Sequence, residues 1–426
     1  MRKRVVIVGA GLAGLRGAEV LRKEGFSGSL TIIGDEPYGP YDRPPLSKRV
    51  LTGHVPVSSL GLPRRGGMEV EWCLGAGASG LDMGNRTVML DSGGRVPFDK
   101  LLIATGAAAR PWANAEEAAL AGVFTLRGRD DAQALRGALA ARPRRVLIIG
   151  GGFIGCEVAS SCRELGLSVA VVDPSPAPMA RHAGAAMGRM LARIMRTAGV
   201  ELRLGARVVG LEGTAGHVRR ARLSDDRALD ADVVLVAMGA VREVAWLEGS
   251  GLQADPAGIR CDDFCRALDA AGRPMDGVYA AGDVALWPHP LYGGRLVSLE
   301  HWGNAVEQSR TAAHNMLSPA DALVPYRYLP AFWSSQFGLN IKSIGLADGA
   351  DQVAITQGDP KKSRFVAVFG GQGRTLAAFA VDSARWLSPY EGAIALRAPF
   401  PPMRRGVEGE CRAPVPPEFP PARRAS

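Results

Sequence analysis

Two stretches of the chain alternate between apolar and polar positions in the same way. Arg4-VVIVGAGLAGLRGAEVLRKEGFSGSLTIIGDE opens on a β-branched run, breaks at glycine, continues at helical spacing, returns to an apolar run and ends on acids. Arg145-VLIIGGGFIGCEVASSCRELGLSVAVVDP repeats that order. Short β-branched runs bounded by glycine predict buried strands, and the longer period between them predicts a helix. Each stretch therefore reads as a strand–helix–strand unit. Three further apolar runs end in glycine turns: Lys100-LLIATG, Asp232-VVLVAMG and Gly277-VYAAGD. From about residue 322 the texture changes. Leu339-NIKSIG, Gln352-VAIT, Arg364-FVAVFG and Thr375-LAAFAV alternate with turn residues, which predicts an antiparallel meander. From Pro399 the last 28 residues hold eight prolines and five arginines, an expected extended or disordered tail.

The glycines carry chemistry as well as shape. Gly9-Ala10-Gly11-Leu12-Ala13-Gly14 follows the first strand at once, and Asp35 lies 21 residues past the last glycine. Gly150-Gly151-Gly152-Phe153-Ile154-Gly155 repeats the scheme, with Asp173 eighteen residues on. In such a turn the first glycine bends the chain, the second admits a pyrophosphate to the backbone and the third lets helix and strand pack closely. The helix N-terminus then meets the phosphate charge. Two units imply two dinucleotides, and FAD with a nicotinamide nucleotide is the economical pair. A carboxylate at Asp173 accepts from a ribose 2′-OH and repels a 2′-phosphate, which favours NADH over NADPH.

Composition narrows the classes. At 426 residues, 47% hydrophobic and 22% charged, the chain has room for two or three domains. No apolar stretch approaches the ~20 residues of a membrane span, and Gly9, Gly11 and Gly14 interrupt the one run that imitates a signal peptide. The expected location is cytoplasmic. The formal charge of +9 suggests an acidic partner, but the basic residues lie in short scattered groups such as Arg144-Arg145 and Lys361-Lys362, which argues against nucleic acid. The six cysteines (Cys73, Cys156, Cys162, Cys261, Cys265, Cys411) include no C-x-x-C, and read as free thiols rather than metal ligands.

The ordered set GAGLAG, IIGDEPYGPYDRPPLSK, LLIATG, GGGFIGCE, VLVAMG, VYAAGD, EHW and FWSSQFG resembles the FAD-dependent pyridine-nucleotide oxidoreductases, over about residues 4–385. Within them it is most similar to the NADH:ferredoxin reductases of bacterial oxygenase systems, the putidaredoxin reductase and rubredoxin reductase type. The resemblance implies an α/β fold with two Rossmann-like dinucleotide-binding domains, the FAD domain interrupted by the NAD domain, and a C-terminal α+β domain with an antiparallel sheet. The expected bounds are 1–113 and 242–321 for FAD, 114–241 for NAD, 322–398 for the C-terminal domain and 399–426 for the tail. On the family pattern Gly9, Ala10, Gly11, Leu12, Ala13, Gly14, Asp35, Glu36, Arg43, Lys48, Ala78, Ala104, Thr105, Gly106, Arg110, Gly282 and Asp283 would hold FAD, with Asp283 on the ribityl chain. Gly150, Gly152, Phe153, Ile154, Gly155, Glu157, Asp173 and Gly239 would hold NADH, while Glu300, His301, Trp302 and Trp333 would surround flavin and nicotinamide. From local sequence alone, Asp283 reads equally as a helix N-cap.

The run YDRPPLSK sits where disulfide reductases of this architecture carry redox cysteines. Pro44 and Pro45 stiffen the approach and disfavour helix before them, after which Leu46-Ser47-Lys48 can begin one. By the resemblance, the Lys48 ammonium would stabilise reduced flavin electrostatically, with Glu157 as its partner. Electrons would then leave the flavin directly and singly, which suits an iron–sulfur ferredoxin, expected to be acidic. A small acceptor, or a redox-responsive binding role resembling apoptosis-inducing factor, are the rival readings; monomer and homodimer both stay open. Two stretches depart from the pattern. The NAD-domain exit AMGAVREVAWLEGSGL lacks a Pro-Asn step, and ARWLSPYEGAIALRAPFPP stands where relatives close with a helix.

Overall fold

The computed structural model describes residues 3–64 and 68–402. They divide into two compact units. The first comprises the described residues up to Asp42 with Leu60–Ala108 and Ala240–Pro330; the second comprises Arg43–Ser59, Ala109–Gly239 and the described residues from Ala331 on.

The first unit is built on a six-stranded sheet in the order Arg266–Leu268, Pro274–Ala280, Lys100–Ile103, Arg4–Val8, Ser29–Gly34 and Glu71–Leu74. Every neighbouring pair is parallel except the edge strand Arg266–Leu268. Past their first residues, Arg4 and Lys100, its central strands are buried throughout, as a sheet covered on both faces requires. From Arg4–Val8 the chain moves outward through Ser29–Gly34 on one side and returns to Lys100–Ile103 on the other. That reversal leaves a crevice at the strands' carboxyl ends, where doubly wound sheets bind ligands. The helix Leu12–Lys23 starts at this crevice and packs along the helix Trp302–Leu317.

The second unit repeats the plan. Five parallel strands run in the order Glu201–Leu204, Val169–Asp173, Val146–Ile149, Val233–Val236 and Val123–Phe124. The helix Phe153–Glu164 follows the glycines at the same topological point. A second sheet holds Ala331–Gln336, Leu339–Gly345, Arg374–Val381, Arg364–Gly371 and Gln352–Asp359, all antiparallel.

Three expectations of local structure are corrected. The C-terminal sheet is antiparallel but not a meander, because Leu339–Gly345 pairs with Arg374–Val381 rather than with the next strand in sequence. The stretch following Trp386 does close with a helix, Ser388–Ala395, whose proline sits in the first turn, where a missing N–H costs nothing. Residues 44–53 form successive turns instead of a helix. The Pro44 carbonyl is taken by Lys48 Nζ and the Ser47 carbonyl by the Ser161 hydroxyl, so two acceptors that a helix would use are engaged by side chains. At the start of the expected tail Pro399 bridges to Arg374, and Phe400 is packed, its N–H donating to the Gly373 carbonyl at 3.0 Å and its ring lying against Gly370. The rest of the expected tail, from residue 403, lies outside the described residues. No helix among the described residues is long and apolar enough to cross a membrane.

Candidate functional site

The two glycine turns obey one steric logic. A Cβ at Gly9 would stand 2.1 Å from the Ala104 carbonyl oxygen, and one at Gly14 would stand 2.0 Å from the Gly9 carbonyl oxygen. In the second unit a Cβ at Gly150 would meet the Ala237 oxygen at 2.3 Å, and one at Gly155 the Gly150 oxygen at 1.9 Å. Gly9 and Gly150 also sit at φ +120° and +113°, which side chains rarely adopt. The outer glycines are thus demanded by the chain's own packing. The middle ones are not. Gly11 (φ −89°) and Gly152 (φ −77°) have ordinary extended backbones, and a Cβ there would meet nothing within 4 Å. Each faces open space at a helix N-terminus, the cradle into which a pyrophosphate fits.

The acids at the second strands' ends differ. Asp173 is drawn onto its own loop: its carboxylate accepts from Gly151 N–H at 2.6 Å and from Ser175 N–H at 2.7 Å. Besides the ribose role expected of it, Asp173 therefore fixes the glycine turn itself. In the first unit Glu36 accepts from the Tyr41 hydroxyl at 2.6 Å. Asp35 lies near Glu243, whose carboxyl is raised above its usual range by burial and then by Asp35's charge. Gly34 must lack a side chain because Ala10 Cβ would lie 2.5 Å away.

Around the same crevice, Ala104 N–H donates to the Val8 carbonyl, the Thr105 hydroxyl donates to the Glu243 carbonyl at 2.8 Å, and Gly106 turns at φ +73°. Ala78 begins the strand Ala78–Asp82. Gly282 and Asp283 form a turn between strands, so Asp283 caps no helix; its carbonyl accepts from the Ser298 hydroxyl at 2.8 Å. Glu300 pairs with Arg242 at 2.8 Å, a residue that sequence reasoning did not single out. His301 precedes the helix Trp302–Leu317, and Trp302 Nε1 donates to Asp42 at 3.0 Å. Arg43, Arg110 and Trp333 belong to the second unit. There Arg43 donates to the Arg127 carbonyl at 2.8 Å, and Arg110 N–H donates to the Gly239 carbonyl at 2.9 Å.

Lys48 and Glu157 are brought together. Nζ lies 2.6 Å from Glu157 Oε2, with the lysine side chain 22% and the glutamate 6% exposed. The Ser47 hydroxyl donates to the same oxygen at 2.5 Å, and the Ser334 hydroxyl donates to Oε1 at 2.6 Å. An almost buried carboxylate is tolerated only when paired and fully hydrogen-bonded, and these three donors meet that condition. One helix organises them. Glu157, Ser160 and Ser161 share a face of Phe153–Glu164; Ser161 holds the Ser47 carbonyl at 2.8 Å, and Ser160 accepts from Phe337 N–H at 2.7 Å. The strand Ala331–Gln336 alternates, so Ser334 and Gln336 point inward and Trp333 stays 46% exposed. Phe153 meets Phe332 edge-on at 4.4 Å, while Ile154 is 40% exposed at the helix start. Ser47 and Ser334 fall within the YDRPPLSK and FWSSQFG stretches, but nothing local marks them, or Ser161, as partners of a carboxylate; only the four-residue spacing of Glu157 and Ser161 hints at a shared face.

Cys156 lies next to Glu157 inside the core. It is fully buried, burial pushes its thiol up, and Sγ donates to the Gly151 carbonyl. Cys162, pushed up to about 12 by burial, lies six residues along the same helix. That spacing is about 9 Å of rise, beyond the ~7 Å that a disulfide bridges.

Comparison with known proteins accords with this geometry. The family described as pyridine nucleotide-disulphide oxidoreductase matches residues 3–309, and the reductase C-terminal family matches 331–405. The anthranilate 1,2-dioxygenase system ferredoxin–NAD(+) reductase component of Burkholderia cepacia is 36% identical, covering 92% of this chain and 94% of its own. The rubredoxin–NAD(+) reductase of Pseudomonas putida is 32% identical, over 82% and 89%. The crystal structure of the covalent putidaredoxin reductase–putidaredoxin complex matches with a TM-score of 0.84 at 29% identity, over 93% and 94%. The chain belongs to the pyridine nucleotide-disulphide oxidoreductase family, as a flavoprotein enzyme that works with a pyridine nucleotide and ends in a reductase-type C-terminal domain.

Proposed function

We propose that the protein is an NADH:ferredoxin reductase serving an oxygenase, with FAD held by the Gly9–Gly14 turn and NADH by the Gly150–Gly155 turn. The observation that carries this reading is the pair of middle glycines facing open space, in a chain whose Cys156 and Cys162 are too buried and too far apart to relay electrons. FAD, when bound, supplies the conversion of a two-electron hydride into single electrons. The protein's own residues bind, orient and balance charge. Asp173 shapes the NADH turn and places a carboxylate where a 2′-phosphate would be repelled, which supports NADH over NADPH. Lys48, aimed by Glu157 and the Pro44 carbonyl, supplies a fixed cation for the charge that flavin gains on reduction.

The iron–sulfur partner is read as acidic. In the C-terminal part of the second unit, an open depression of about 700 Å³ is lined by Lys342, Lys362, Arg364 and Arg385, together with Asn340, Asp382 and Ala384. Lys342 stands directly across from the exposed Trp333 in the hairpin, so cation and aromatic share one surface. Such a surface attracts an acidic protein chiefly through its rate of encounter. Raising salt from about 50 to about 500 mM is expected to lower kcat/KM for an acidic ferredoxin by about tenfold or more. Reduction of a neutral quinone should change by less than about twofold, since no charged encounter is involved. Equal salt responses for the two acceptors, or no NADH-driven ferredoxin reduction at all, would count against the reading.

A further inference from the structure

We propose that Tyr326, Asn304 and Gln308 form a directional hydrogen-bond relay that positions the Ala281-Gly282-Asp283 turn for the flavin. This rests on the reading that the first unit holds FAD. The turn is closed on one side by Ala285 N–H donating to the Gly282 carbonyl at 3.0 Å, at a glycine with φ +81°. Gly282's own N–H donates to Gln308 Oε1 at 2.9 Å. Asn304, one helical turn earlier, donates from Nδ2 to the same oxygen at 3.3 Å and to the Leu299 carbonyl at 3.1 Å. Its Oδ1 accepts from the Tyr326 hydroxyl at 2.9 Å.

Each orientation is dictated by the one before. The Tyr326 phenol keeps its proton at neutral pH and points it at Asn304 Oδ1; burial lifts it further above its ordinary range. A donor at Asn304 Oδ1 turns Nδ2 toward Gln308, and two donors on one oxygen fix the Gln308 amide. Asn304 and Gln308 are 0% exposed, and amides in a helix core are costly unless bonded. Gln308 Nε2 is nevertheless buried without a protein partner, so this amide is retained for its oxygen at the expense of an unpaired donor. Apolar packing asks for none of this; holding Gly282 does. Without the Tyr326 hydroxyl the buried Asn304 Oδ1 is orphaned, and the amide is held only through Nδ2, by the Leu299 carbonyl and Gln308 Oε1. An amide that shifts to recover a donor for Oδ1 loosens its hold on Gln308 Oε1, and with it the anchor of the turn that carries Asp283.

The test is flavin release from the full-length, flavin-loaded chain on dilution, followed by recovery of flavin fluorescence. Gln308→Met is expected to release flavin about tenfold faster, and Tyr326→Phe about fivefold. The double variant should stay near about tenfold rather than reach the product of about fiftyfold, because both act through one oxygen. Tyr326→Phe keeps the ring that packs at 4.8 Å on Trp287, so it folds even where Gln308→Met does not, and it then decides alone. Multiplicative effects, or a Tyr326→Phe release rate within about twofold of the unaltered chain, overturn the relay. An unaltered chain that holds no flavin overturns the underlying reading and the relay with it.

Discussion

Lys48→Ala is expected to keep its flavin and to slow NADH-driven flavin reduction by about a hundredfold, the scale of removing one preorganised electrostatic group. The fold should lose some stability but persist, because the nearly buried Glu157 carboxylate loses its ion-pair partner. Glu157 retains the Ser47 and Ser334 hydroxyls after the ammonium is gone, so no carboxylate oxygen is orphaned. What disappears is a cation whose place is fixed twice over, by Glu157 at 2.6 Å and by the Pro44 carbonyl at 3.1 Å. Lys48→Arg should not rescue the rate, since a planar guanidinium cannot occupy the point-charge geometry of an ammonium between those acceptors. Anaerobic stopped-flow mixing with NADH reads the step directly. An unchanged rate of flavin bleaching in Lys48→Ala would remove the lysine's proposed role.

Gly11→Val and Gly152→Val are expected to separate the two nucleotides. Both positions have backbones that any residue adopts and no atom within 4 Å of a new Cβ, so thermal stability should shift by less than about 1 kcal/mol. The isopropyl group instead fills the phosphate approach. Gly11→Val should purify with under about a tenth of its flavin, while Gly152→Val should keep flavin and raise KM for NADH at least about thirtyfold. Gly150→Ala is the contrast. Its methyl would press within 2.3 Å of the Ala237 oxygen at φ +113°, so it should lose stability as well as NADH binding. Loss of both cofactors by either valine variant would contradict the assignment of one nucleotide to each turn.

What the chain reveals before folding follows the range of the interaction. The glycine turns were legible because their meaning is local: strand, bend and helix start lie within ten residues of one another. Lys48 and Glu157 were legible only through motif order, since 109 residues separate them. The serines that complete the pair were not legible, because Ser334 lies 177 residues from Glu157 and a serine looks alike at a surface or a buried carboxylate. The same holds for Asn304 and Gln308, two amides that a helical pattern assigns to either face. Tertiary competition explains the lost helix at Leu46-Ser47-Lys48, where side chains take carbonyls that local propensity reserves for the backbone. Strand order in the C-terminal sheet is likewise absent from strand composition, which records which residues pair well but not with whom.

Anaerobic titration with NADH, followed through the flavin's visible band, tests most directly whether electrons cross from nucleotide to nucleotide with no sulfur between them. Bleaching should be complete at about one NADH per bound flavin, because a lone flavin stores a single hydride equivalent. A requirement for about two equivalents would reveal a second two-electron centre, a disulfide, and contradict the account.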